Sequence, residues 1–165
     1  MSDTRMIIVS ACLAGIKCRY DGTHQVDAAV LSLVREGKGI PLCPELLGGL
    51  PVPREPCEIR DTAEGRRVFT SSGADVTERF LEGAERTLRI ARDAGAAAAI
   101  LKSRSPSCGS KVIYDGSFSG KIIAGMGITA QLLTENGISV HSEEETADFL
   151  AADDPQKKNE NARPA

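Results

Sequence analysis

Residues 76–102 read VTERFLEGAERTLRIARDAGAAAAILK, and this stretch decides the fold class. Val76, Phe80, Ala84, Leu88 and Ala91 recur at helical spacing on one stripe, while Glu78, Glu82, Glu85 and Arg89 fall elsewhere, so Val76–Ala94 reads as an amphipathic helix. Thr77 or Asp75 can cap its start, and Gly95 ends it. Directly behind it, Ala97–Lys102 has no polar face until its last residue and reads as a strand buried on both sides. A helix feeding a strand of that kind is the unit of a parallel sheet covered by helices.

The same alternation extends in both directions. Upstream, Met6–Ala11 is a short β-branched run, Val26–Glu36 has helical periodicity ending at Gly37, and Gly39–Cys43 is a weaker strand whose Pro41 suits an edge position. From Pro44 to Asp61 four prolines and Gly48-Gly49 predict mostly loop. Arg66–Ser71 reads as a small strand. Downstream, Lys111–Ile123 carries Asp115-Gly116 and Ser119-Gly120 and reads as a hairpin excursion. Thr129–Glu135 follows as a helix, then Ile138–His141 as a strand and Glu143–Ala151 as a helix. The expected architecture is α/β, a Rossmann-like three-layer sandwich with a mainly parallel sheet of about four strands. We expect one domain over residues 1–150 and a disordered polar tail over 151–165.

Composition narrows the function. The chain has 165 residues, 41% hydrophobic and 26% charged, which suits a globular domain with a real core. Twenty Lys and Arg against 23 Asp and Glu leave a net charge of −3, and aromatics are 4% with no Trp. Neither the basic footprint nor the aromatic platform of a nucleic-acid binder is present. No signal peptide and no apolar run long enough to span a bilayer is visible, so a cytoplasmic location without membrane partners is expected.

Five cysteines, Cys12, Cys18, Cys43, Cys57 and Cys108, are an odd number spread widely along the chain. In a reducing compartment such thiols bind metal, act in catalysis or are simply buried. Three of them, Cys12, Cys43 and Cys108, fall at or just past the ends of expected strands. The carboxyl ends of parallel strands share one edge, which holds the ligand crevice, so these three should meet in space. Cys18 and Cys57 lie in loops without that logic. There is no CxxC pair, and His24 and His141 are the only histidines, which counts against closed structural zinc. Three thiolates suit an iron–sulfur cluster with one open iron.

SACLAG (Ser10–Gly15), CRYDG (Cys18–Gly22), CPELLGGLPVPR (Cys43–Arg54), LKSRSPSCG (Leu101–Gly109), YDGSFSGK (Tyr114–Lys121) and GMGITAQLL (Gly125–Leu133) together resemble the thiouracil desulfidase family. The resemblance runs from about Met6 to Leu150. It implies a Rossmann-like domain with a [4Fe-4S] cluster on three cysteines, here Cys12, Cys43 and Cys108, and non-redox removal of sulfur from a thiolated uracil base or nucleotide with release of hydrogen sulfide. That chemistry asks for a proton shuttle, and Glu45 is the best acid/base candidate, with helix capping as its bland alternative. Lys102, Ser103 and Ser105 are catalytic candidates and Ser107 a substrate contact; the serines could equally be satisfying loop backbone. Arg19, Tyr20 and Asp21 are close enough to Cys12 to line the pocket, and Arg54 could meet a phosphate or form an ion pair. Gly125–Gly127 could seat an anion on free helix N–H groups. Glu143–Glu145 reads as a solvated first turn. A sulfur carrier or cluster scaffold, a desulfidase of thiolated tRNA, and a zinc-containing nucleotide-binding module are the rival readings. Oligomeric state is not readable from the sequence.

Overall fold

Strand β1 (Ile7–Ser10) is buried along its whole length and leads through a 3₁₀ turn at Ala11–Ala14 to helix α1 (Ala28–Arg35). The carboxylate of Asp27 accepts from the Val30 N–H at 3.0 Å and caps α1, a bond of the kind that contributes about 1 kcal/mol. Strand β2 (Gly39–Leu42) then pairs in parallel with β1. The computed structural model describes residues 5–153. The expected polar tail lies outside the described residues from position 154 onward, and Ala151 and Ala152 close the last helix.

The segment expected to be mostly loop holds two elements. Helix α2 (Pro44–Leu47) is a single turn with Pro44 at its start, where a missing N–H costs nothing. Strand β3 (Cys57–Thr62) pairs antiparallel with β4 (Gly65–Thr70) across a tight turn at Ala63-Glu64. The prolines masked both. In addition, β3 is buried for its first three residues and exposed for its last three, so it shows no alternation to read.

Helix α3 (Thr77–Asp93) buries the stripe that contains Phe80, Ala84, Leu88 and Ala91 and gives way at Gly95, φ +67°, to strand β5 (Ala98–Leu101). The Asp75 carboxylate accepts from the Thr77 N–H and hydroxyl just ahead of it. Strands β6 (Val112–Tyr114) and β7 (Ile122–Ala124) form the expected hairpin. Helix α4 (Ile128–Glu135), strand β8 (Ser139–Ser142), a 3₁₀ turn at Glu143–Glu145 and helix α5 (Thr146–Ala152) complete the chain.

The central sheet is all parallel in the order β2-β1-β5-β8. Pro41 accordingly sits in an edge strand. On one face Ile8, Ala99 and Leu101 pack with Leu88 and Ala91 of α3 and Ala130 and Leu133 of α4. On the other, Ile7, Val9 and Ile100 pack with Val30 and Leu33 of α1, and Phe149 and Leu150 of α5 lie against them. The chain crosses from β1 to β2 on one side and then back past β1 to β5 on the other, so the strand order reverses between β1 and β5 and the crevice of such a sheet lies beyond their carboxyl ends. No helix among the described residues is long and apolar enough to cross a membrane.

A candidate active site at the carboxyl edge of the sheet

An open cavity of about 630 Å³ occupies that edge, and all five cysteines line it. Cys12 sits in the 3₁₀ turn that follows β1, and Cys43 is the residue between β2 and α2. Cys108 lies on the loop after β5, which the start of α4 holds in place. Gly127 N–H, Ile128 N–H and Thr129 N–H donate to the carbonyls of Gly109, Pro106 and Ser107 at 2.8–2.9 Å. Gly127 must lack a side chain, because a Cβ there would lie 2.5 Å from the Ser107 carbonyl carbon. These bonds also remove the anion seat expected at Gly125–Gly127: the N–H groups at that helix start are spent on the cysteine loop.

The strand-end argument gathered three thiols, and the structure adds two that it had set aside. The Cys18 thiol touches both Cys12 and Cys43. Contact with Cys12, together with burial, pushes the Cys18 thiol up to about 11 although Cys43 opposes the shift. Contact with Cys18 and burial push Cys43 far above the ordinary thiol range. Burial raises Cys57, at the start of β3, to about 12. It does the same to Cys108, against the opposing hydroxyls of Ser10 and Ser107. Turns and the β3 start carry Cys18 and Cys57 to the cavity. Neither position follows a strand of the main sheet, so no local signal marked them.

Two carboxylate–cation pairs face the same cavity. Glu45, in the only turn of α2, pairs with Arg54 at 2.9 Å (Oε2 to Nη2). Arg54 Nη2 also donates to the Cys18 carbonyl at 3.0 Å, and its Nε, buried, has no partner among the described residues. Arg54 is therefore a buried partner of Glu45, with only 5% of its side chain exposed. The second pair is Lys102 with Glu143, Nζ to Oε1 at 2.7 Å. Glu143 Oε1 accepts also from the Ser103 hydroxyl, and Oε2 from the Ser103 N–H, both at 2.8 Å. The solvated first turn expected at Glu143–Glu145 is thus corrected at its first residue. Burial works to raise the Glu143 carboxyl, but the bonds from Lys102 and Ser103 outweigh it and hold the group below the ordinary range. Its signal was available: Glu143 directly follows β8, as the expected ligands follow their strands.

The remaining expected residues divide. Arg19 and Tyr20 line the cavity, whereas Asp21 does not, its carboxylate being held by the Thr23 N–H at 3.1 Å and hydroxyl at 2.6 Å. Ser105 Oγ accepts from the N–H groups of Ser107 and Cys108 at 3.2 and 3.1 Å, which is the loop-satisfying role. Ser107 is buried, and its hydroxyl donates toward Cys108 Sγ at 3.5 Å. Neither histidine lines the cavity.

Among the described residues, no three His, Cys, Asp or Glu side chains converge to hold a single metal ion. The donors present are soft sulfur, set around a cavity rather than about one point, with free thiols and no disulfide. Buried thiols pushed upward need a strong cation to become thiolates, and the donor chemistry fits an iron–sulfur cluster.

Comparison with known proteins agrees with this chemistry. A solved structure described as the [4Fe-4S]-dependent thiouracil desulfidase TudS superposes with a TM-score of 0.82 at 45% identity, covering 90% of this chain and 97% of that one. The uncharacterized protein YbbK of Bacillus subtilis (strain 168) is 51% identical over 151 residues, 88% of this chain and all of that protein. Residues 7–145, spanning β1 to the turn after β8, match the 2-thiouracil desulfurase family, and the chain belongs to that family.

Proposed function

We propose that this protein is a [4Fe-4S]-dependent desulfidase that converts a thiolated uracil, as base or nucleotide, to the uracil with release of hydrogen sulfide. The observation that carries the reading is the convergence of five thiols and two carboxylate–cation pairs on one cavity at the carboxyl edge of the sheet. Cys12, Cys43 and Cys108, from three separate strand ends, would hold the cluster. When bound, the cluster supplies a Lewis-acidic iron free of protein ligands, suited to a thiocarbonyl sulfur.

The overall exchange is balanced by one water: its oxygen replaces sulfur on the ring carbon, and its two protons leave with the sulfur as hydrogen sulfide. Glu45 would move those protons. Only its Oε2 is engaged by Arg54, and no hydrogen bond among the described residues reaches Oε1, which is left to take a proton from water and return it to the departing sulfur. Lys102 brings a positive charge to the cavity wall, where it offsets negative charge developing on the ring. Ser103 offers a hydroxyl fixed by Glu143.

Anaerobic purification with iron and sulfide analysis, followed by assay of sulfide release from 2-thiouracil, 4-thiouracil and thio-UMP, tests the proposal. We expect a brown protein that releases sulfide, and loss of both properties in Cys43→Ala and Cys108→Ser. A loaded protein that releases no sulfide from any of these compounds would return the chain to a scaffold or carrier role. Activity on thiolated tRNA alone would change the substrate.

A further inference from the structure

The chain is poor in aromatics, with two Tyr, four Phe and no Trp, yet Tyr20, Tyr114 and Phe118 all line the one cavity. Half of the aromatic side chains thus stand where a planar ring would enter. Phe118 differs from the other two in how it is held. It lies at the tip of the β6–β7 hairpin with φ +55°, a left-handed conformation that is rare for a bulky residue and that clusters at ligand clamps.

A hairpin tip is ordinarily the loosest part of a sheet, but this one is strapped to β3. The buried carboxylate of Glu58 accepts from the Gly116 N–H at 2.9 Å and the Phe118 N–H at 3.1 Å. Arg60 Nε donates to the Gly116 carbonyl at 2.6 Å, and its guanidinium lies 5.6 Å from the Phe118 ring centroid and 5.4 Å from that of Phe69. Gly116, at φ +90°, is pressed so close to β3 that a Cβ would lie 2.7 Å from the Ile59 carbonyl oxygen. A buried carboxylate and an arginine committed to one exposed tip fix the position of the single large side chain that the tip offers the cavity.

The geometry points to Phe118 as the face on which the pyrimidine ring of the substrate stacks, a specificity residue pre-placed by Glu58 and Arg60; this rests on the desulfidase reading. Stacking of a base on an aromatic side chain loses roughly five- to hundredfold in affinity when the ring is removed.

The test is titration of uracil into cluster-loaded wild type, Phe118→Ala and Phe118→Tyr, with iron content, thermal midpoint and the kinetics of 2-thiouracil desulfuration measured on each. In Phe118→Ala the Kd for uracil and the KM should rise roughly five- to hundredfold, with kcat changed less and iron content unchanged. Phe118→Tyr should restore both. Wild type that releases sulfide while Phe118→Ala binds uracil equally well overturns the stacking role and leaves the desulfidase standing. A lowered midpoint or lost iron that Phe118→Tyr does not rescue also overturns it, by making the residue structural. No sulfide release by loaded wild type overturns the reading beneath it as well.

Discussion

The two ion pairs of the cavity lie at similar depth, with side-chain exposures of 5% and 15% for Arg54 and Glu45 and of 17% and 16% for Lys102 and Glu143. They differ in how the carboxylate is used. Glu143 has both oxygens engaged, by Lys102 and by two donors of Ser103, whereas Glu45 has one oxygen on Arg54 and the other open. A carboxylate with an uncommitted oxygen can exchange a proton with substrate. One with every site filled serves as an anchor. Similar burial and pairing therefore leave one carboxylate oxygen open in the first pair and none in the second, and on the proposed reading Glu45 is the working group and Glu143 the holding one.

The strongest way to break that comparison is a pair of substitutions read by sulfide release. Glu45→Gln should lower kcat about 10²- to 10⁴-fold with iron content retained, because general acid–base catalysis is worth that much. Glu143→Gln keeps an acceptor for Ser103 and should cost less. A reversed order would mean that Glu143 moves the proton.

Removing the cations sharpens the same point through stability. Arg54→Met strands a mostly buried carboxylate and should destabilise by up to about 3–5 kcal/mol in urea titrations. Lys102→Met leaves Glu143 two donors on Ser103, so the loss should be smaller, about 1–3 kcal/mol. Equal losses would show that the filled and unfilled carboxylates are energetically alike.

Acid provides a finer probe. The Glu143 carboxyl is held below its ordinary value in the folded protein, so its contribution is present above the unfolded pKa and is lost as pH falls through the folded one. Denaturation midpoints followed downward from pH 6, on cluster-free protein so that iron loss does not enter, should drop more in wild type than in Glu143→Gln. Parallel curves would remove the anchoring role. The smallest effect belongs to a solvent-exposed pair: Lys38→Ala, which breaks the contact with Glu36, should leave the urea midpoint essentially unchanged.

Much of this site was legible because parallel sheets obey a positional rule. Cys12, Cys43 and Cys108 follow strands whose apolar runs stop abruptly, and Lys102 is the first polar residue after a fully apolar one. The same rule covers Glu143 behind β8, but three adjacent glutamates before a helix resemble a solvated first turn, and local charge logic prevailed. Arg54 as the partner of Glu45, and Cys18 as the neighbour of two other thiols, have no sequence signature. Each is brought in by a turn whose path depends on the folded core. Of the β3–β4 hairpin, β4 was read as the strand Arg66–Ser71, whereas β3 was hidden for a different reason: burial confined to its first three residues erases the alternation that marks a strand, and the prolines before it read as loop.

Helices α2 and α3 meet backbone to backbone. A Cβ on Gly48 would lie 2.0 Å from the Arg79 carbonyl oxygen, and one on Gly83 would lie 1.9 Å from that of Pro44. Neither glycine lines the cavity, yet together they set how closely the turn bearing Glu45 approaches the long helix behind it. Adding a methyl group at either position would wedge that turn away from α3. The placement of the Glu45 side chain is thus inherited from two absent methyl groups, and no single step away from glycine is small at either site. A survey of variants confined to residues that touch ligand would overlook both.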